Sequence, residues 1–242
     1  MKKWEELPIE MQVEEVKPYY DALKRKQLSL FFKRVFDIVV SSLMLIILLP
    51  VFLILAIAIK LDSPGPVFFR QVRVTQYGKQ FRIFKFRTMV SNAEKIGTQV
   101  TVGNDNRVTR VGKVIRKCRL DEIAQLIDVL RGTMTFVGVR PEVVKYVEKY
   151  TPEMRATLLL PAGVTNLTCI YYKDEYRLLV DAENADEVYV KNVLPDKMYW
   201  NLKGMKEYSF GLDIKLMFIT FVTVLGKEYK AEVTEIYEES IK

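Results

Sequence analysis

The sequence predicts an α+β protein anchored in a membrane, and three observations carry that reading. An apolar run, Ile38–Ile59, holds no charge over 22 residues and is interrupted near its middle by Pro50. Short aromatic and basic runs on either side of Tyr77-Gly78 read as a β-hairpin. RLDEIAQLIDVLRG then sets Leu120, Ile123, Leu126, Ile127 and Leu130 at helical spacing, with Gly132 as its stop signal.

Composition narrows the chemistry. With half of its 242 residues apolar, the chain can bury a core and is no disordered segment. Its formal charge of +7 points to an anionic partner: nucleic acid, a phosphate-bearing substrate or an acidic membrane surface. There is no histidine, which excludes Ser-His-Asp and Cys-His catalysis and His-ligated zinc or iron. Cys118 and Cys169 form no CxxC and supply at most one disulfide, which suits a reducing, cytosolic side. Any catalysis must use carboxylates, Lys, Arg, hydroxyls or a hard metal ion.

Residues 1–32 mix both signs of charge, unlike a secretory signal, and are expected as a leader: a surface helix or a partly ordered segment. Residues 33–60 carry the membrane helix. Its uncharged run is about 33 Å long as a helix, enough to cross a hydrocarbon core of ~30 Å. Pro50 removes one backbone hydrogen bond and clashes with the preceding turn. Lys24, Arg25, Lys26, Lys33 and Arg34 precede the run, and Lys60, Arg70, Arg73, Lys79, Arg82, Lys85 and Arg87 follow it. Basic flanks prefer the cytoplasm, so a helix bent at Pro50 and returning to the same leaflet satisfies both; a proline-kinked spanning helix is the alternative. From residue 61 to 226 the chain reads as a compact domain, opened by the turn Ser63-Pro64-Gly65-Pro66. Near its end Leu216–Leu225 is uncharged, too short to span and suited to an interfacial helix. Residues 227–242 form a tail.

Asp121 and Glu122 begin the amphipathic helix just after Arg116, Lys117 and Arg119. The helix N-terminus and these cations are expected to hold both carboxylates ionised. An ionised Asp is a competent nucleophile towards phosphorus and an oxygen ligand for magnesium. Asp and Glu are favoured in any first helical turn, so alone the pair reads as structural. Lys85 and Arg87 in KFRTM, Arg107 and Arg110, and Arg140 in VGVRP could converge on phosphates. The same basic and aromatic interleaving suits RNA, single-stranded DNA or an anionic lipid surface. No Walker loop or GxGxxG is present.

Read in order, KRVFDIVVSSLMLIILLPVFLILAIAIKLDSPGPVFFRQ, GKQFRIFKFRTM, VTRVGKVIRKCRLDEIAQLIDVLRGTMTFVGVRP and PAGVT resemble the bacterial sugar transferases, the small monotopic phosphoglycosyl transferases. The resemblance runs over roughly residues 30 to 226. It implies transfer of a sugar 1-phosphate from a UDP-sugar to undecaprenyl phosphate, with release of UMP, at the cytoplasmic face of the bacterial inner membrane. It further implies Asp121 as nucleophile and Mg²⁺ ligand, and Glu122 beside it in an acid/base or positioning role. Arg116, Lys85, Arg87 and Arg140 are then phosphate or nucleotide-sugar contacts. A re-entrant helix broken at Pro50, a small cytoplasmic catalytic domain and no nucleic-acid partner follow from the same likeness.

Three departures stand out. Leu49 occupies the place where Ser often precedes the helix-breaking proline. Val139 replaces the first Pro of a Pro-Arg-Pro element. After PAGVT the chain reads NLTCIYYKDE where GWAQVNGR is frequent, and Lys173 stands in for that motif's Arg. These differences bear on the sugar, which the sequence leaves open together with the pathway and the choice between monomer and homodimer. The rival reading from another class is a membrane-tethered, non-enzymatic binder of RNA or anionic lipid.

Overall fold

The computed structural model describes residues 1–91, 93, 105–171 and 185–224. It is α+β, as expected: among the described residues, helices accompany two small, separate two-stranded sheets. Residues 1–32 do more than the leader expected of them. Two 3-10 turns, Trp4–Glu6 and Ile9–Met11, lead into helix α1 (Lys17–Arg25). Leu7, Met11, Val16, Tyr19, Tyr20 and Leu23 are buried in one core cluster with Tyr146, Leu159 and Met198. The charges that mark this stretch, Glu5, Glu6, Glu14, Lys24 and Arg25, all point to solvent. Mixed charge here marks the outer face of a packed segment.

Helix α2 (Gln27–Ile47) and helix α3 (Leu49–Asp62) are separated at Leu48 and bent by 60°. Pro50 lies in the first turn of α3, where its missing N–H costs little because that turn has no intrahelical acceptor. Among the described residues no single helix is long and apolar enough to cross a membrane; the bent pair together passes on length and composition.

The pair is inside out relative to a soluble amphipathic helix. Lys33, Asp37 and Ser41, four residues apart, face inward and are buried. Phe31, Val39, Ile46, Leu53, Ile54, Ile57 and Leu61 face outward and are exposed. The inward stripe is fully partnered: Lys33 Nζ donates to Asp213 Oδ2 at 2.5 Å and to the Val137 carbonyl at 2.8 Å. Asp37 accepts from Thr135 Oγ1 at 2.7 Å. These bonds tie α2 to the buried strand β3 (Met134–Val137) and to the last described helix.

Strands β1 (Phe68–Val74) and β2 (Gln80–Phe86) pair antiparallel, Phe68 opposite Phe86 and Val74 opposite Gln80. Tyr77 (φ 59°) and Gly78 (φ 72°) make the left-handed turn that matches strand twist, so the hairpin forms where expected. Its Phe68 and Phe86 end packs with Val51, Phe52, Leu55 and Ile59 of α3. The turn end packs with the N-terminal segment through Val74 and Tyr77.

Helix α4 (Arg110–Lys117) is capped by Thr109, whose hydroxyl accepts from Gly112 N at 3.0 Å. RLDEIAQLIDVLRG is not one helix. Arg119 adopts φ 55°, residues Leu120–Gln125 wind as a 3-10 turn, and only Leu126–Arg131 form an α-helix, α5. Ala124 and Gln125 are buried, so tertiary packing draws this segment into the tighter winding. The apolar spacing still reports the core: Leu126 packs with Ile83 and Val129, and Leu120 and Ile123 pack near Phe86. Leu130, by contrast, is 37% exposed. Gly132 at φ 80° ends the helix as its sequence position indicated.

Strand β3 runs parallel to β4 (Ala162–Thr165), Met134 opposite Ala162 and Val137 opposite Thr165. Beyond β3, Gly138 and Gly163 meet backbone to backbone. A Cβ on Gly163 would overlap the nitrogen and carbonyl oxygen of Gly138. Two short helices, α6 (Val144–Val147) and α7 (Leu167–Tyr171), follow. A π turn (Tyr189–Val193) opens α8 (Leu194–Lys206), and α9 (Phe210–Val224) closes the described chain. On α9, Leu216 and Ile219 enter the core while Phe218 and Phe221 stay exposed. This is the helix that the uncharged run at Leu216–Leu225 predicted.

Candidate active site

Three separate elements bring charged side chains together around the 3-10 turn. Strand β2 supplies Lys85, the loop beyond β3 supplies Arg140, and α4 supplies Arg116 from its last turn. Glu122 is the hub: Lys85 Nζ donates to its Oε1 at 2.9 Å and Arg140 Nη2 donates to the same oxygen at 2.5 Å. Burial opposes the Glu122 charge, yet the Arg140 and Lys85 cations outweigh it and hold the carboxyl well below the usual range. The Glu122 charge in turn drives the Arg140 pKa upward.

Asp121 is in the opposite situation. Burial and the neighbouring Glu122 charge push its carboxyl above its ordinary value, against the pull of Lys85 and Arg116. Sequence reasoning expected both carboxylates to be held ionised alike. The structure separates them, because Glu122 takes both direct cation contacts and Asp121 takes none. Paired carboxyls whose surroundings push them apart are a usual arrangement for divided chemical roles. Among the described residues no side chain hydrogen-bonds or ion-pairs with the Asp121 carboxylate; the hydrogen bond it feels comes from its own backbone.

Arg116 donates through Nε to Thr88 Oγ1 at 2.9 Å. Burial lowers its pKa and the Asp121 charge raises it, so the two groups sense one another across the site. Lys85, Arg116, Arg140, Asp121 and Glu122 are therefore brought together as the sequence suggested.

Arg87 is not part of this group. It sits just past the end of β2, is 5% exposed, and donates to the carbonyls of Ile59, Ser63 and Pro64 and to Ser91 Oγ. Both Nη atoms of its guanidinium are engaged at the end of α3 and the turn after it, and its Nε is buried without a partner among the described residues. Arg107 is closed on Asp105 at 2.6 Å. Lys173 lies outside the described residues.

Five further residues escaped sequence reasoning. Glu142, two residues beyond Arg140, accepts from Tyr189 Oη at 2.6 Å and from Lys197 Nζ at 3.4 Å, and all three are buried. Arg73 on β1 feels the charges of Glu142, Arg140 and Glu122. The thiol of Cys169 is pushed up by burial, against the Arg140 and Lys197 charges. Only the alternation of β1 could have pointed to Arg73, which shares parity with Phe69 opposite Lys85. Nothing local marks Tyr189 or Lys197.

Among the described residues no cluster of three acidic or thiol groups exists to cage a metal. A magnesium ion does not need one: it commonly takes one or two carboxylates together with substrate phosphate oxygens. The Asp121 carboxylate fits that donor set.

Comparison with known proteins places the chain in a family. The family model described as bacterial sugar transferase matches residues 28–227. A UDP-N-acetylgalactosamine-undecaprenyl-phosphate N-acetylgalactosaminephosphotransferase of Aeromonas hydrophila is 36% identical over 198 residues, covering 81% of this chain and 44% of the relative. A UDP-glucose:undecaprenyl-phosphate glucose-1-phosphate transferase of Escherichia coli is 37% identical over 210 residues, covering 85% and 42%. The exopolysaccharide production protein PSS of Rhizobium leguminosarum is 38% identical over 147 residues, covering 58% and 74%. The chain thus spans less than half the length of the first two relatives and about three quarters of the third. With the family model covering most of its length and the charged site built from the matched region, the chain belongs to the bacterial sugar transferase family.

Proposed function

We propose that this protein transfers a sugar 1-phosphate from a UDP-sugar to undecaprenyl phosphate, as the first membrane step of a bacterial glycoconjugate. The reading rests on one observation above the rest. The Asp121 carboxylate has no side-chain partner among the described residues and feels the Lys85 and Arg116 charges, while its neighbour Glu122 is paired with two cations. The relatives act on UDP-sugars and undecaprenyl phosphate by name, and the same two substrates are proposed here.

In the first half-reaction an Asp121 oxygen attacks the β-phosphorus of the UDP-sugar. The bond from that phosphorus to the bridging oxygen breaks, and UMP leaves with the electron pair. In the second, a phosphate oxygen of undecaprenyl phosphate attacks the aspartyl phosphosugar and returns the carboxylate. Phosphoryl transfer depends mainly on positioning and charge neutralisation. Lys85, Arg116 and Arg140 supply both, and Glu122 fixes where two of those cations sit. A magnesium ion held by Asp121 and substrate oxygens would add neutralisation of the phosphate charge. The raised Asp121 pKa marks a poorly solvated carboxylate, which is the more reactive for lacking water.

A lipid and a soluble substrate must meet at the membrane face. The apolar part of α2 after Arg34 and the whole of α3 are each about 20 Å long, short of a hydrocarbon core of ~30 Å. Their outward apolar faces, inward polar stripe and basic flanks support a re-entrant anchor with the catalytic domain on the cytoplasmic side of the inner membrane.

The test is UMP release by the detergent-extracted protein from a panel of UDP-sugars, with undecaprenyl phosphate and Mg²⁺. At least one sugar should give UMP and a lipid-linked sugar diphosphate, and chelation should stop it. Silence across the panel would remove the proposal.

A further inference from the structure

Arg73, half-buried on β1, is not paired with a carboxylate as Arg140, Lys85 and Lys197 are. Its Nη2 donates to Gln71 Oε1 at 2.7 Å. No carboxylate of the described residues comes within the 4.0 Å of an ion pair. Arg140 and Lys85 share Glu122, and Lys197 is satisfied by Glu142 and Tyr189. Arg73 keeps most of its donors uncommitted while half withdrawn from water, as Arg116 does with only its Nε engaged by Thr88. Burial lowers the Arg73 pKa; the Glu142 charge raises it and the Arg140 charge lowers it. A guanidinium in that condition is a receptor for an anion that arrives with the substrate.

The hairpin register says which end of the site it serves. Lys85 lies opposite Phe69 and therefore on the same face as Phe69, Gln71 and Arg73. Four residues of strand separate Phe69 from Arg73, about 13 Å. The Lys85 end abuts α3 through the Phe68 and Phe86 cluster, whereas the Arg73 end abuts the N-terminal segment through Val74. Arg73 is thus at the end of the site away from the apolar bent pair. An anion bound there belongs to the water-borne substrate, because a lipid phosphate is tethered at the other end.

We propose that Arg73, aimed by Gln71, receives the nucleotide-side phosphate of the UDP-sugar, while Lys85 and Arg116 serve the phosphate that is transferred. The assignment rests on the proposed function and deepens it. The nucleotide end then points away from the membrane, and the sugar phosphate lies over Asp121.

The experiment measures UDP binding by calorimetry and steady-state kinetics for wild type, Arg73→Gln, Arg73→Lys and Gln71→Ala. For Arg73→Gln, the KM for the UDP-sugar and the Kd for UDP should each rise about tenfold or more, while the KM for undecaprenyl phosphate stays within about twofold. Arg73→Lys should recover part of the loss. Gln71→Ala, which keeps the guanidinium, should raise the UDP constants several-fold, and it decides the matter if Arg73→Gln fails to fold. A structural role would lower kcat or thermal stability without this split between substrates. An unchanged UDP Kd in both variants, or an equal rise for undecaprenyl phosphate, overturns the assignment. Failure of the broader reading shows elsewhere, as a wild type that neither binds UDP nor releases UMP.

Discussion

Arg140 donates to Glu122 at 2.5 Å although the two residues are 18 positions apart and belong to different elements. The contact joins the loop beyond β3 to the 3-10 turn that carries Asp121. It exists because Gly138 and Gly163 let the two backbones approach and set the Arg140 loop against the β4 start, where Gly163 N donates to the Val139 carbonyl at 2.8 Å.

Asp121→Asn should separate activity from stability. Turnover should fall by several orders of magnitude, since a nucleophile and its surroundings act as a unit. The folded-state pKa of Asp121 is raised, so its ionised form costs stability at neutral pH, and that cost fades as pH falls through the folded value. The Asn variant should therefore melt at a higher temperature than wild type at pH 7. Turnover within about tenfold of wild type, or a lower melting temperature, contradicts this.

Arg140→Ala should cost about 1–3 kcal/mol, less than for a fully buried pair because the Arg140 side chain is 35% exposed. Pairing it with Glu122→Gln should restore part of the loss, since the uncompensated carboxylate goes with it. Glu122 has a depressed folded pKa, so its contribution is present above the unfolded value of about 4.3 and is lost as pH falls through the folded one. Chemical denaturation at pH 7 and at strongly acid pH should show the variants converging with wild type only in acid.

Arg87→Lys tests the reassignment of that residue. A lysine cannot reach three carbonyls in a fixed fork, so stability should drop by about 1–3 kcal/mol. The KM for the UDP-sugar should stay within about twofold of wild type. A large KM rise with unchanged melting would return Arg87 to the substrate site.

Gly163→Ala should be among the most damaging single changes, at about 3 kcal/mol or more, because the obstacle is the Gly138 backbone and not a movable side chain. Thermal unfolding of the purified variant checks it, and near-wild-type melting would show that the β3–β4 contact can open.

Topology is testable with Lys3→Cys and Asn106→Cys in a variant lacking Cys118 and Cys169. Lys3 and Asn106 are both exposed, so each new thiol should resist an impermeant reagent in intact cells and label once the cells are opened. Labelling of the Lys3 position from outside would replace re-entry with a single crossing.

Local pattern was enough for several features, and each had a local cause. An uncharged run with one proline predicts a broken helix because the missing N–H is a property of Pro50 itself. The Tyr77-Gly78 turn, the Gly132 stop and the apolar spacing of residues 120–127 follow from φ preferences and burial periodicity. The ordered motifs likewise announced the family and brought Lys85, Arg116, Arg140 and the Asp121-Glu122 pair to notice.

What lies opposite each side chain was decided only in three dimensions. Lys85 and Arg87 share a motif, yet Lys85 meets Glu122 while Arg87, past the strand end, meets the carbonyls that terminate α3. Asp121 and Glu122 are neighbours with the same charge, and their pKa values part because Lys85 and Arg140 both reach Glu122. The N-terminal 32 residues look like a leader until Met11, Val16 and Leu23 find Tyr146, Leu159 and Met198, more than a hundred positions away. Electrostatic and packing energies depend on distance in space, and a linear chain records distance only along itself.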